Sequence, residues 1–66
     1  MSVAKTSEIT ASSSKSFEDA VRQGISKMSK TVSNIESAWV KEQKAIVEDG
    51  EVKTYRVTMK VTFIVK

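Results

Sequence analysis

The most constraining stretch of this chain is its last third, where Asp49-Gly50 precedes a long alternating run. Tyr55, Val57, Met59, Val61, Phe63 and Val65 fall on one side of it, and Arg56, Thr58, Lys60, Thr62 and Ile64 on the other. A period of two over that length is the signature of a strand with one buried face. Asp-Gly supplies the positive-φ residues of a two-residue hairpin turn, so the residues before it form the partner strand. With no bulge, the hairpin sets Met59 opposite Val40, Val61 opposite Ala38, Lys60 opposite Trp39 and Thr62 opposite Ser37. It also sets Arg56 opposite Gln43 and Thr58 opposite Lys41. One inserted residue would flip every side chain beyond it to the other face.

Upstream, residues 2–10 alternate loosely through Val3 and Ile9 and are expected to form a short strand, with the polar run at 11–16 as a connection. Ser16 is placed as an N-cap, with Glu18 and Asp19 in the first turn and Asp19 at the capping-box position. A helix follows through Phe17, Ala20, Val21, Gly24, Ile25, Met28 and Val32, apolar along one stripe, with Ser33 and Asn34 ending it. Residues 1–66 thus read as one α+β domain of order β-α-β-β. One helix covers only one side of a small sheet. Trp39 is therefore expected on the open side with Ile35, Val47 and Ile64, facing a partner subunit, a ligand, or both.

A chain of 66 residues buries only about 60% of the surface its unfolded form exposes, so its core is thin. There is no Cys for a disulfide, and without Cys or His a structural zinc is excluded in practice. Oligomerisation is the stabilising device left. The lack of Cys and of a secretory-type start leads to the expectation of a cytoplasmic protein, and no apolar stretch is long enough to span a bilayer. The net charge of +3 comes from eleven basic residues interleaved with eight acids, a solvated mixed surface and not a nucleic-acid footprint.

Catalytic constellations are missing as well. No His offers general-base chemistry and no Cys a nucleophile, and the many Ser residues have no partner at a recognisable spacing. The protein is not expected to be an enzyme. Glu48, Asp49 and Glu51 around Gly50 are of a type that holds hard cations, but turn chemistry accounts for them more simply. The serines ahead of the helix lack the glycines of a phosphate loop and read as capping. Trp39 beside Arg56 and Lys60 offers a stacking surface flanked by cations, suited to a planar anionic ligand or to packing between subunits.

Strand, helix and long hairpin, with "SKSFEDAV" at the helix start, "SKTVSNI" at its end, then "KEQ" and "VEDGEVKTYRVTMKVTF", together resemble the dodecin family over nearly the whole chain. The resemblance implies a three-stranded antiparallel sheet wrapped around the helix, and a homododecameric shell with flavins, FMN or riboflavin, held between subunits. It implies a ligand site built from Ser37, Ala38, Trp39, Lys44 and Arg56. In flavin-binding members a Trp near the start of the second strand stacks on the ring, and Ser37 stands at that position here. A Gln in the segment resembling "TYRV" binds the ring edge, and here it is Arg56. The basic residue after "EQ" is kept as Lys44. Trp39 lies two residues beyond the family Trp, on the same strand face but about 6 to 7 Å along it, too far for simple substitution. The first strand departs too, with Thr6, Ser7 and Thr10 where relatives are more apolar. The expected function is flavin binding and storage. The alternative is a dodecin-like shell that is purely structural or takes another ligand, a coenzyme A-like anion or a cation.

Overall fold

The computed structural model describes residues 3–66, in the order β1 (Val3–Ser13), α1 (Phe17–Met28), β2 (Ile35–Glu48) and β3 (Glu51–Val65). The strands form one antiparallel sheet in the order β1-β3-β2. The most regularly alternating strand is thus the central one. Its partners on both sides have their registers set by its buried stripe, Val57, Met59 and Val61, all fully buried. Asp49 and Gly50 have φ of 52° and 77°, the paired left-handed residues that a tight hairpin turn requires.

β1 runs further than its composition suggests. Ala11, Ser12 and Ser13, expected in the connection, pair with Val57, Arg56 and Tyr55. Pairing to a well-defined neighbour outweighs the poor intrinsic strand preference of Ala and Ser. Of the strand expected over 2–10, Ser2 lies outside the described residues. The helix is shorter than expected. It stops at Met28, with Ser29 as its C-cap, and Thr31 and Val32 both donate their backbone N–H to the Met28 carbonyl. Val32, expected on the helix, lies in that closing turn. Asn34, at φ 61°, then turns the chain into β2.

Ser16 caps α1 from an extended conformation, its Oγ accepting from the Asp19 N–H at 2.9 Å. The reciprocal half of a capping box does not form. The Asp19 carboxylate instead accepts from Ser13 Oγ at 2.5 Å and from Gln23 Nε2 at 3.1 Å. These bonds, the one from Ser13 foremost, hold the Asp19 carboxyl below its ordinary pKa. Ser13, the one buried polar side chain among the described residues, thereby ties the end of β1 to the first turn of α1.

α1 lies mainly on β1 and β3. Phe17 meets Tyr55 edge-on, with ring centroids 5.1 Å apart. Gly24 marks the closest approach, since a Cβ there would lie 2.9 Å from Met59 Cε and 3.0 Å from Ala11 Cβ. Around the buried residues Ala20, Val57, Met59 and Val61 pack Ile9, Ala11, Phe17, Val21, Ile25, Met28, Ile35 and Val40. Among the described residues the core is no larger than that. Val3, Trp39, Val47, Val52 and Val65 remain exposed, the condition of a subunit whose burial is completed by association.

The β2–β3 hairpin carries three register shifts. Lys53 is an extra residue on β3, and Lys41 and Glu36 are extra residues on β2. Between Lys53 and Lys41 the bulge-free pairing is displaced by one. Lys44, not Gln43, faces Arg56, and Glu42, not Lys41, faces Thr58. Gln43 moves to the helix side of the sheet, opposite Val57. Beyond Lys41 the two bulges cancel, so Val40–Met59, Trp39–Lys60, Ala38–Val61 and Ser37–Thr62 pair as expected. Glu36 then flips Ile35, expected beside Trp39, to the helix side, where it faces Phe63 and joins the core. All three bulged residues are charged and exposed, so the irregularities remove nothing from the core.

Candidate functional site

The sheet face turned away from α1 is built in rows across β1, β3 and β2. From one end they are Thr6–Thr62–Ser37, Glu8–Lys60–Trp39, Thr10–Thr58–Glu42 and Ser12–Arg56–Lys44. The alternation of β3 puts Arg56, Thr58, Lys60 and Thr62 on this side, where Ser37 and Trp39 face them in the bulge-free register, and the extra residue at Lys53 brings Glu42 and Lys44 to it.

Trp39 is 62% exposed, a large apolar surface in water. Lys60 extends its Nζ over the indole, 5.5 Å from the ring centroid, a cation–π contact that holds the ring against the sheet. On the β1 side, Glu8 receives Lys41 Nζ at 3.4 Å, so the bulged lysine reaches across the sheet. The hydroxyls of Thr6 and Thr62, and of Thr10 and Thr58, meet at 3.3 Å in each pair. Arg56 donates from Nε to Ser12 Oγ at 3.2 Å. The middle of the face is polar and hydroxyl-rich, with one aromatic platform and cations at two levels, and Ile64 and Ile46 lie on the same side towards its two ends.

Of the expected site residues, Ser37, Trp39, Lys44 and Arg56 share this face, and Lys44 stands directly opposite Arg56. Ala38 lies on the helix side, opposite Val61. Sequence reading places Thr58 on this face but misses Glu42 opposite it, because Glu42 reaches the face only through the bulges. It also missed Ser12, which had been assigned to a loop. The alternation of β3 was signal enough for Thr58. An open groove of about 1030 Å³ lies elsewhere, between α1 and β1, floored by Ile9, Ala11, Gly24 and Met28. It brings together no acid–base or nucleophilic set. Among the described residues no three acidic, His or Cys side chains converge on a possible metal position, and at the hairpin turn Glu51 is held by Lys53 at 3.2 Å. Among the described residues no helix is long and apolar enough to cross a membrane.

A single helix cradled by a long twisted sheet, a core of a few residues and a sheet face left open with its tryptophan outermost define a class: small α+β subunits whose burial is completed by copies of themselves. The chain belongs to the dodecin family, whose model matches residues 3–66. Among solved structures, the dodecin from Streptomyces davaonensis aligns over 98% of this chain and 96% of its own, with 29% identity and a TM-score of 0.94. A dodecin variant from Thermus thermophilus aligns over 100% and 98%, with 26% identity and a TM-score of 0.94. A calcium-chelating dodecin from Mycobacterium tuberculosis aligns over 97% and 91%, with 30% identity and a TM-score of 0.84. No curated protein sequence matches the chain. The expected β-α-β-β fold, with its three-stranded sheet wrapped around one helix, is the dodecin fold.

Proposed function

We propose that this chain is the subunit of a cytoplasmic homododecamer that binds and stores flavin, FMN or riboflavin, against the open face of its sheet. The observation that carries the reading is Trp39, 62% exposed on that face with the Lys60 cation over its ring and with Ser37, Lys44 and Arg56 on the same side. A planar, electron-poor ring stacks on an indole, and the cations suit its polar edge and any pendant anion. Association of subunits would cover the aromatic surface and enclose the ligand. Membership of the dodecin family supports both the twelve-subunit shell and the flavin. The role is binding and not turnover, since the chain offers neither His nor Cys for proton transfer or nucleophilic attack.

A second reading rests on Ser37, which stands where flavin-binding members stack a Trp. In that reading the shell is kept, Trp39 packs subunits, and the ligand is another anion or a cation, as for the calcium-chelating relative, or none.

Light scattering on the purified native protein, with its absorption spectrum, followed by a flavin titration monitored through Trp39 fluorescence, separates the two. A mass near twelve chains with yellow absorbance, or quenching that saturates on adding flavin, is the expected result. A colourless dodecamer that takes up neither FMN nor riboflavin would overturn the flavin reading and leave the shell. A monomer would overturn both.

A further inference from the structure

The hairpin outruns the rest of the fold. β1 ends at Ser13, opposite Tyr55, whereas β2 and β3 stay paired through Ile46–Thr54 and Val47–Val52 to Glu48–Glu51. A two-stranded arm thus projects about 13 Å, the rise from Tyr55 to Glu51. Such a hairpin is only marginally stable in water without a further strand or a helix against it. None of the residues from Ile46 to Thr54 belongs to the core. The extra residue at Lys53 turns Val52 and Val47, the latter expected beside Trp39, to the helix side of the sheet, and both stay exposed there. α1 does not reach them. Its first residue, Phe17, sits against Tyr55 at the base of the arm, and from there the helix runs the other way, over Ala11 and Met59 at Gly24.

The tip of the arm is charged against itself. Glu48 faces Glu51 directly, and like charges facing each other across an antiparallel pair are destabilising. Asp49 adds another acid in the turn, and among the described residues Lys53 is the one cation paired there, with Glu51. The groove between α1 and β1 is the complement of this tip. Its floor is apolar, its rim carries Arg22, Lys27 and Lys30, and no acidic residue lines it. Arg22 is paired with Glu18, while Lys27 and Lys30 enter none of the ion pairs among the described residues. An apolar trough with a cationic rim fits an apolar finger with an acidic tip. The arm does not fold back into its own groove, because its paired strands extend the long axis of a subunit 52 Å long and 20 by 13 Å across.

We infer that the Ile46–Thr54 arm of one subunit docks in the α1–β1 groove of a second copy, with Val47 and Val52 on the apolar floor and Glu48 and Glu51 beside Lys27 and Lys30. Arm and groove are different surfaces, so the contact runs head to tail and either closes as a ring or continues as a filament. The docking rests on the assembly proposed above for its closure into a ring, and not on the flavin. It gives the otherwise unsupported hairpin the third layer it lacks, and it relieves the facing carboxylates with cations from the neighbouring subunit.

Light scattering over a dilution series of the full chain tests this, at low ionic strength, where exposed charges are least screened. Glu48→Lys/Glu51→Lys and Lys27→Glu/Lys30→Glu are each expected to raise the concentration of half-dissociation at least about tenfold, the worth of one charge-assisted contact. Joining the four substitutions in one chain restores the wild-type value. Full assembly retained by either reversed pair would overturn the docking and leave the groove to a different partner, and a folded fourfold variant that does not recover would overturn it too. The chain has no Cys, so a second measurement avoids charge reversal altogether. Glu51→Cys and Lys27→Cys chains are coexpressed and joined by a short thiol cross-linker. A cross-link between positions 51 and 27, identified by mass spectrometry, is expected. Cross-links between like positions alone, in an intact assembly, would overturn the docking and leave the shell. A wild type that stays monomeric would overturn the docking and the shell together.

Discussion

The two sides of this sheet are made from the same strands but governed by different rules. On the helix side, Met59, Val57 and Val61 are fully buried, and the spacing of α1 from β1 and β3 is fixed by a missing Cβ at Gly24. Volume is the controlling quantity there. On the open side none of the described residues is fully buried, and the controlling quantities are charge, hydroxyl pairing and the orientation of one indole. Substitutions should therefore act on stability on one side, and on ligand or assembly on the other.

The largest effect is expected from Met59→Ala. Truncating a fully buried side chain at the centre of the core costs about 2–5 kcal/mol, the lost transfer energy plus the cavity left behind. Urea unfolding at fixed subunit concentration checks it, because association and folding are linked. A cost below about 1 kcal/mol would mean that the core collapses freely and is not volume-controlled.

Gly24→Ala is next. Replacing a mid-helix Gly gains about 1 kcal/mol of helix propensity, while overpacking costs about 1–3 kcal/mol. Met59 Cε can swing aside, but the Cβ of Ala11 is fixed to the backbone of β1. A net loss of about 1 kcal/mol is expected, and a gain in the same unfolding measurement would show that α1 is not pinned there.

Asp19→Asn tests the polar seam at the end of that side. The folded carboxyl has its pKa below the ordinary value of 3.8 through its hydrogen bond from Ser13. Its contribution is therefore complete above the unfolded value and is lost as pH falls through the depressed folded one. Wild type should lose stability below about pH 4, while the variant is less stable at neutral pH and changes less on acidification. Parallel acid limbs in the two proteins would remove Asp19 from the account.

Trp39→Ala should have the smallest effect on subunit stability, within about 0.5 kcal/mol, yet impair flavin binding or assembly. Light scattering and a flavin titration on the variant would show it. If both properties survived unchanged, the contrast between the two sides would fail.

Legibility in the sequence followed the same division. Residues whose burial depends on period alone were readable. The β3 stripe, the apolar face of α1, the Ser16 cap and the Asp49-Gly50 turn all stand where their local chemistry puts them. The open face was only half readable. Trp39–Lys60 came out correctly because the extra residue at Lys53 is offset by the one at Lys41. Between those two residues the pairing was misread, and with it the facing of Arg56 and Lys44. No glycine or proline marks the bulges, and a charged residue that tolerates solvent leaves no periodicity to read.

By itself, the sequence determined that the chain would form a strand, a helix and a long hairpin, and that one face of its last strand would be apolar. These follow from local conformational preference and side-chain period, which act between near neighbours. Tertiary structure alone decided that β3 would be central, that Ala11–Ser13 would be drawn into the sheet, that Asp19 would bind Ser13 and not its own cap, and that Lys44 would meet Arg56. Each of these depends on pairing between distant segments, and there one inserted residue, at little energetic cost in an exposed position, changes which side chains face each other.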